Sequence, residues 1–206
     1  MNGDVGLSGR DLACLRGERM VFEGLGFDLA PGGALVLTGP NGSGKTSFLR
    51  LVAGLLRPAA GSLAWRGRPV GDDPDALRAE LHYVGHLDAV KPLLTVSENL
   101  AFWARMRGGG AVTEALAGFG LTALADVPAR FLSSGQRRRV ALARLLAAPA
   151  ALWLLDEPTV GLDSESIEAL TTAMAAQRDG GGMVIAATHA TLALRDAGDL
   201  QFGAAR

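Results

Sequence analysis

Residues 39–46 constrain the possible fold more than any other part of the chain. They read Gly-Pro-Asn-Gly-Ser-Gly-Lys-Thr and match the pattern G-x-x-x-x-G-K-[ST]. A continuous apolar run at residues 34–38 comes directly before them, as expected of a strand buried in a sheet. A helical pattern at residues 45–56 follows, and Pro58 ends it. A buried strand, a glycine-rich turn and a helix in this order predict an α/β fold with a parallel sheet.

The composition of this loop predicts that it binds phosphate groups. Glycines let backbone N–H groups turn inward, and the helix N-terminus adds a partial positive charge. Lys45 is predicted to act catalytically by bridging the β- and γ-phosphates of a nucleotide, and the Thr46 hydroxyl is predicted to bind Mg²⁺. The predicted nucleotide contacts in this segment are Gly39, Pro40, Asn41, Gly42, Ser43, Gly44, Lys45, Thr46 and Ser47. A glycine-rich loop that binds nothing is the alternative, which the flanking strand and helix disfavour. The loop alone does not separate kinases, GTPases and ATPases.

A second apolar run ends in two acidic residues. Residues 152–155 read Leu-Trp-Leu-Leu, and Asp156 and Glu157 follow. Asp156 is predicted to bind Mg²⁺, and Glu157 to orient or deprotonate a water molecule that attacks the γ-phosphate. The alternative is an ordinary strand that ends in solvated carboxylates. The phosphate-binding loop upstream favours the catalytic interpretation.

Length and composition favour one domain of ordinary size. The chain has 206 residues, of which 49% are hydrophobic, enough to bury a core. Residues 11–86 and 132–206 are predicted to form a catalytic core with a β subdomain, and residues 87–131 a helical insertion. Residues 1–10 have no apolar signal core and are predicted to be a frayed polar tail.

Charge, cysteine content and hydropathy argue against several functions. The formal net charge is −1 and the sequence has no basic patch, so no nucleic-acid partner is expected. A lone cysteine, Cys14, excludes an internal disulfide and suits a reducing cytosol. No stretch has the roughly 20 mostly apolar residues that a transmembrane helix needs. A membrane role would therefore depend on a partner protein.

Residues 132–136 read Leu-Ser-Ser-Gly-Gln and lie between the phosphate-binding loop and the two acids. The order of loop, LSSGQ, LLDEP and a histidine after an apolar strand resembles ATP-binding-cassette (ABC) ATPases over essentially the whole chain. The resemblance implies an α/β P-loop NTPase fold with a mainly parallel core sheet, an N-terminal antiparallel β subdomain and an inserted helical subdomain. The three arginines at residues 137–139 are interpreted as a mostly solvated helix face.

The same resemblance implies a homodimer with ATP held between two copies. The LSSGQ segment of one copy would contact the γ-phosphate of the ATP that Lys45 of the other copy binds. Residues 161–163 resemble the D-loop that lies across the dimer interface, and His189 resembles the switch histidine that contacts the γ-phosphate. The cofactors implied are ATP and Mg²⁺. The residues predicted at the nucleotide from this interface are Ser133, Gly135, Gln136 and Asp163.

Three positions depart from the usual ABC pattern. Arg16 stands near the position of the aromatic residue that stacks on adenine, and its guanidinium could stack instead. Weaker discrimination between bases is the hypothesis that follows. His86 stands where the family has a glutamine that senses Mg²⁺ and water, so an altered pH dependence is expected. Ser134 replaces a signature glycine, a small change. A metal site built from His82 and His86 is disfavoured, because a break between strand and loop separates them.

A narrower resemblance is to the ATPase subunits of the bacterial cytochrome c maturation system, the haem exporter ATP-binding proteins. The chain is short, and histidine occupies the sensor position. The segments that carry the resemblance are RGER at residues 16–19, GPNGSGKTS at 39–47, TVSENL at 95–100, QRRRVALARL at 136–145 and DEPTVGLD at 156–163.

This resemblance implies a peripheral subunit on the cytoplasmic side of the bacterial inner membrane. Its partners would be an integral membrane subunit of the CcmB type and other cytochrome c maturation proteins, and its ATPase activity would support haem delivery. The sequence contains no Cys-x-x-Cys-His, so no haem is expected on this chain. An ABC subunit for lipid, drug or peptide export is an alternative. A soluble ABC ATPase that acts on ribosomes or DNA is disfavoured, because the chain has neither two cassettes nor coiled-coil arms.

Overall fold

A computed structural model describes residues 5–188 and 194–203. The described strands are β1 (Leu7–Arg16), β2 (Arg19–Leu29), β3 (Ala34–Thr38), β4 (Ala60–Trp65), β5 (Arg68–Pro69), β6 (Leu81–Val84), β7 (Leu152–Asp156), β8 (Met183–Ala187) and β9 (Gly198–Gln201). The described α-helices are α1 (Lys45–Val52), α2 (Pro74–Ala79), α3 (Val96–Met106), α4 (Val112–Gly118), α5 (Ser134–Ala147) and α6 (Ser164–Asp179). Short 3₁₀ turns lie at Thr122–Leu124 and Ala129–Phe131.

The central sheet is parallel and has the strand order β6-β7-β8-β3-β9. Because parallel strands run in one direction, the residues that follow β3 and β7 meet at the same edge of the sheet. This topology places the glycine-rich loop, which follows β3, near the acids that end β7. The predicted α/β fold with a mainly parallel core sheet is confirmed.

Both faces of the central sheet are covered, as apolar strands require. Leu152 and Leu154 of β7 pack into one hydrophobic cluster, together with Phe48 of α1. Trp153 and Leu155 of the same strand pack into the other cluster, under the helices. The strand's period of two residues therefore sends alternate side chains into two cores.

The N-terminal segment forms a second, antiparallel sheet with the order β2-β1-β4-β5. The prediction of a polar tail over residues 1–10 is wrong from Leu7 onward, where β1 begins. Leu7 is fully buried and pairs with Leu29 on one side and Trp65 on the other. The apolar partners lie on two other strands, so the segment's own composition does not reveal them.

Local sequence signals set most of the helix ends. Helix α1 ends at Val52, four residues before the predicted end, because Gly54 takes a left-handed φ of 70°. The N–H of Leu55 then donates to the Arg50 carbonyl at 2.8 Å, closing a Schellman motif. Helix α3 begins in a capping box between Thr95 and Glu98.

The segment between β6 and α5 holds α3, α4 and the two 3₁₀ turns. This is the segment for which a helical insertion is predicted, and its helices pack against α5. Among the helices of residues 5–188 and 194–203, none has the length and apolar character needed to cross a bilayer.

Candidate active site

The glycine-rich loop has a backbone that only glycines adopt readily. Gly39 and Gly44 have φ values of 132° and 116°. A Cβ atom at Gly39 would collide with the Phe202 carbonyl oxygen, and one at Gly44 would lie 2.7 Å from Val21 Cγ1. The tight path of this loop between β3 and α1 therefore depends on both glycines.

The residues at the start of α1 are suited to an anion. The Gly44 N-cap makes no side-chain capping bond, and the first turn contains no acidic residue, so the helix N-terminus is electropositive. Lys45 is 7% exposed, and its Nζ donates to the carbonyls of Gly39 at 2.6 Å and Pro40 at 3.1 Å. Ser43 Oγ is buried and makes no hydrogen bond within the described part of the chain. An oxygen atom of a bound phosphate would satisfy this hydroxyl.

Asp156 and Thr46 lie together next to this loop. The Thr46 hydroxyl donates to Asp156 Oδ1 at 3.0 Å, and Asp156 is 3% exposed. Carboxylate and hydroxyl oxygens are the hard ligands that Mg²⁺ prefers, so this pair fits the ion. On the other side of the carboxylate, the Tyr83 hydroxyl donates to Oδ2 at 3.4 Å. Sequence reasoning missed Tyr83, although its place on the strand beside β7 was a usable signal.

Glu157 has an unusual backbone for a residue other than glycine. Its φ is 46°, in the left-handed region, which costs a non-glycine residue about 1–3 kcal/mol. Its N–H donates to the Ala187 carbonyl at 2.8 Å, and its own carbonyl accepts a bond from Arg138 Nη2 at 2.8 Å. Such strain persists only where surrounding bonds fix it, and it is common at functional sites.

The interpretation of the three arginines after Gln136 as a solvated face is wrong for Arg138. This side chain is 6% exposed and donates to the carbonyls of Gly85, Asp156 and Glu157. The reason is that buried carbonyls at two loops need donors, and a guanidinium with five N–H groups supplies several. A helical wheel cannot show this, because the acceptors come from distant segments.

A cavity of about 300 Å³ lies between the glycine-rich loop and the N-terminal hairpin, which is formed by β1 and β2. Its lining includes Asp156 and Glu157, for which contacts with the phosphate side are predicted, and Arg16, for which a contact with the base is predicted. Arg19 and Val21, which sequence reasoning did not single out, lie beside Arg16 in this lining. The loop residues that line the cavity are Asn41, Gly42, Ser43, Gly44, Lys45, Thr46 and Ser47.

The LSSGQ residues lie away from this cavity. Ser133 is the N-cap of α5: its Oγ accepts from Gln136 N at 3.2 Å, and its own N–H donates to Gln136 Oε1 at 2.8 Å. Ser133 is exposed, and Gly135 lies so close to Gly161 that an added Cβ atom would be 3.1 Å from the Gly161 carbonyl. The exposed N-terminus of α5 therefore neighbours the predicted D-loop and faces outward from its own cavity.

Asp163 has a structural position at the start of α6. Its carboxylate accepts a bond from the Ser166 N–H at 2.8 Å. Hydrogen bonds from Ser166 lower the pKa of the Asp163 carboxyl. The carboxylate thus caps α6 in its charged form and anchors residues 161–163.

Of the two predicted site histidines, only His86 lies among the described residues. His86 is exposed on the loop after β6 and does not line the cavity. His189 lies outside the described residues. His82 is buried, and its Nε2 donates to the Ala148 carbonyl at 3.0 Å. No group of three or more His, Cys, Asp or Glu side chains suited to a metal occurs among residues 5–188 and 194–203.

Comparison with known protein families matches the ABC transporter model to residues 22–160. This range holds the glycine-rich loop, LSSGQ, and the acids after β7. The chain belongs to the ABC transporter family. The glycine-rich loop is hereafter called the P-loop and LSSGQ the signature, the names that these motifs carry in ABC proteins.

Relatives within the ABC family are similar over nearly the whole length. The cytochrome c biogenesis ATP-binding export protein CcmA of Paramagnetospirillum magneticum is 56% identical, with 96% of this chain and 94% of that protein covered. The protein of the same name from Rhodospirillum rubrum is 58% identical, with 91% of this chain and 81% of that protein covered.

Solved ABC structures share the fold. An ATP-binding subunit of an ABC transporter superposes with a TM-score of 0.84 at 25% identity, covering 95% of this chain and 85% of that one. The ATP-binding cassette MJ0796, solved as a dimer in a post-hydrolysis state bound to ADP and Pi, gives a TM-score of 0.83 at 25% identity and covers 95% of this chain and 94% of its own.

Proposed function

We propose that this chain is the ATP-hydrolysing, energy-coupling subunit of a membrane export complex that acts in cytochrome c biogenesis. One observation carries the proposal: buried Asp156 accepts a bond from Thr46 beside the phosphate-binding loop, and Glu157 follows it directly. The CcmA relatives, at 56% and 58% identity, support the assignment to cytochrome c biogenesis.

The site's residues have distinct proposed tasks. Lys45 and the N-terminus of α1 bind the phosphates and offset their charge. Thr46 and Asp156 would hold Mg²⁺, which supplies further charge neutralisation when bound. Glu157 accepts a proton from the attacking water or orients it. His189 is proposed to contact the γ-phosphate.

A second copy of the chain is proposed to complete the site. Ser133 and the Gly135 N–H would donate to the γ-phosphate bound by the opposite copy, and Gln136 and Asp163 would lie at the same interface. The exposure of Ser133 and its separation from the cavity of its own chain support this arrangement. ATP would then hold two copies together, and hydrolysis would release them.

The membrane partner is proposed to be an integral subunit of the CcmB type, with this chain bound to it on the cytoplasmic side of the bacterial inner membrane. Haem delivery for c-type cytochromes is the proposed use of the energy. The partner subunit, not this chain, would select the cargo.

Substitution of Glu157 by Gln tests the hydrolytic site. We expect kcat for ATP to fall by at least about 10²-fold, because a carboxamide cannot accept the proton. ATP binding should persist, and the variant should accumulate as a dimer in ATP and Mg²⁺. Phosphate release and light scattering after gel filtration measure the two effects.

The control is Glu165→Gln, which removes an exposed carboxylate in the first turn of α6 and should leave the rate at the wild-type level. A Glu157→Gln protein that stays monomeric in saturating ATP and Mg²⁺ would contradict the two-copy site. Co-expression with a CcmB-type membrane protein should give a complex with stimulated ATPase activity. Failure to co-purify any such complex would contradict the export assignment while leaving the ATPase intact.

A further inference from the structure

The guanidinium of Arg138 connects three segments that are distant in the sequence. It projects from the signature helix α5 and is 6% exposed. Its Nη1 donates to the Gly85 carbonyl at 2.9 Å and to Asp88 Oδ1 at 3.3 Å, on the loop after β6. Its Nη2 donates to the carbonyls of Asp156 at 3.1 Å and Glu157 at 2.8 Å, at the end of β7.

Two other arginines nearby have a simpler task. Strand β6 lies at the edge of the central sheet, so its outward carbonyls need donors from elsewhere. Arg144 donates to the Tyr83 carbonyl, and Arg107 donates to the Leu81 carbonyl. Both of these acceptors belong to the edge strand itself. Arg138 alone, among the arginines whose contacts are described, reaches past β6 to the residues that end β7.

The bonds from Arg138 hold the backbone that aims the Glu157 side chain. Glu157 has a φ of 46°, and its peptide groups are held on two sides, by Ala187 through the N–H and by Arg138 through the carbonyl. A left-handed residue relaxes to the common backbone regions when such restraints are lost. That relaxation would redirect the Cα–Cβ bond and move the carboxylate.

We propose that Arg138 is a positioning residue for ATP hydrolysis. It holds Glu157 in the geometry that serves the attacking water, and it is itself held by Gly85 and Asp88. Two of its acceptors lie on the loop after β6. A shift of that loop would therefore move the Arg138 side chain and, with it, the backbone of Glu157. The inference rests on the proposed ATPase function of this site.

The first test separates positioning from nucleotide binding. Arg138→Gln should lower kcat for ATP by about 10²-fold, the cost of a displacement of about 1 Å at a reacting group. KM and the Kd for ATP should stay near wild type, because Arg138 does not line the cavity that binds the phosphates. Arg138→Lys should not restore kcat, because one ammonium cannot reach acceptors on both loops.

The matched control is Arg105→Gln. It removes an exposed guanidinium from the last turn of α3 and should leave kcat and KM at wild-type values. An Arg138→Gln protein that retains wild-type kcat, or that loses ATP binding together with kcat, would overturn the positioning role.

A double variant tests whether Arg138 acts through Glu157. In the Glu157→Gln background, Arg138→Gln should reduce the residual rate no further, because the carboxylate that it positions is already absent. A further fall of about 10²-fold in that background would show an independent effect and overturn the proposal.

If wild-type protein hydrolyses no ATP, the proposed function itself fails. If the wild type is active and the two substitutions are additive, only the role of Arg138 is wrong.

Discussion

We propose that Arg16 contacts the nucleotide base, so that the cavity has a base end at the N-terminal hairpin and a phosphate end at the P-loop. Arg16 and Arg19 are exposed and line the cavity with Val21, whereas the phosphate end is built from a buried lysine and a buried carboxylate. A guanidinium plane can stack on any purine, and it carries no hydrogen-bond acceptor with which to recognise the adenine amino group. On this hypothesis, affinity at the base end comes from stacking and charge, with little selection between bases.

We predict that the wild-type protein hydrolyses ATP and GTP with kcat/KM values within about tenfold of each other. Arg16→Ala should raise KM for both nucleotides by about tenfold, since stacking on one base contributes about 1–3 kcal/mol. Steady-state kinetics with each nucleotide measures this. Arg10→Ala is the control, because Arg10 is exposed on the same strand and pairs with Asp28 at 2.6 Å. Strict preference of the wild type for ATP would contradict the hypothesis.

At the scale of elements, the edge strand β6 shows what could be predicted and what could not. It covers residues 81–84, Leu-His-Tyr-Val, in which Tyr83 and Val84 locally favour a strand. The motifs of the site are local as well, so loop, strand and acids were predictable from their own residues. The arginines that donate to the carbonyls of β6 and of the loop after it could not be predicted. Arg144 and Arg138 bind carbonyls that are more than fifty residues away in the sequence. Each charge-assisted bond of this kind contributes about 1.5–3 kcal/mol.

The packing of β6 predicts a pH-dependent stability that originates at His82. Burial lowers the pKa of His82 to about 4, and the nearby charge of Arg107 adds to this effect. The unfolded chain binds this proton below pH of about 6.5 while the folded chain does not, so the free energy of unfolding falls as the pH drops from about 6.5 to 4. Between pH 7 and pH 5 we expect a loss of about 2 kcal/mol from this group.

Urea unfolding at pH 7 and pH 5 measures this loss. His82→Gln should remove it, whatever its effect on stability at pH 7, because glutamine does not titrate. His86→Gln is the matched control: His86 is exposed, and the wild-type dependence on pH should remain. Equal pH dependence in the wild type and in His82→Gln would show that another group is responsible.

For the whole molecule, the two proposed half-sites do not meet within the described part of one copy. The cavity is lined by the P-loop and by the acids after β7, and no signature residue is among its lining. The signature serines are exposed at the start of α5, where the helix N-terminus points an electropositive end outward. Two different half-sites on each copy can pair reciprocally across a two-fold axis, which gives a dimer with two identical composite sites. The fold of one chain could not reveal such a site, because in the proposed arrangement its missing half lies on another chain.

Mixing two inactive variants tests the composite site. Lys45→Ala removes the phosphate-binding charge, and Ser133→Arg blocks the signature with a bulky cation. Each homodimer should be inactive because both of its sites carry a defect.

Random mixing of the two variants in equal amounts makes half of the dimers heterodimers. In each of these, one site combines intact Lys45 with intact Ser133, and the other combines both defects. The mixture should therefore recover up to about a quarter of the wild-type rate. The control is Lys45→Ala mixed with Glu157→Gln. Both substitutions lie in the P-loop half-site, so every composite site keeps a defect and no rate should return. A mixture of Lys45→Ala and Ser133→Arg that stays inactive while ATP still drives dimer formation would place the complete site within one chain.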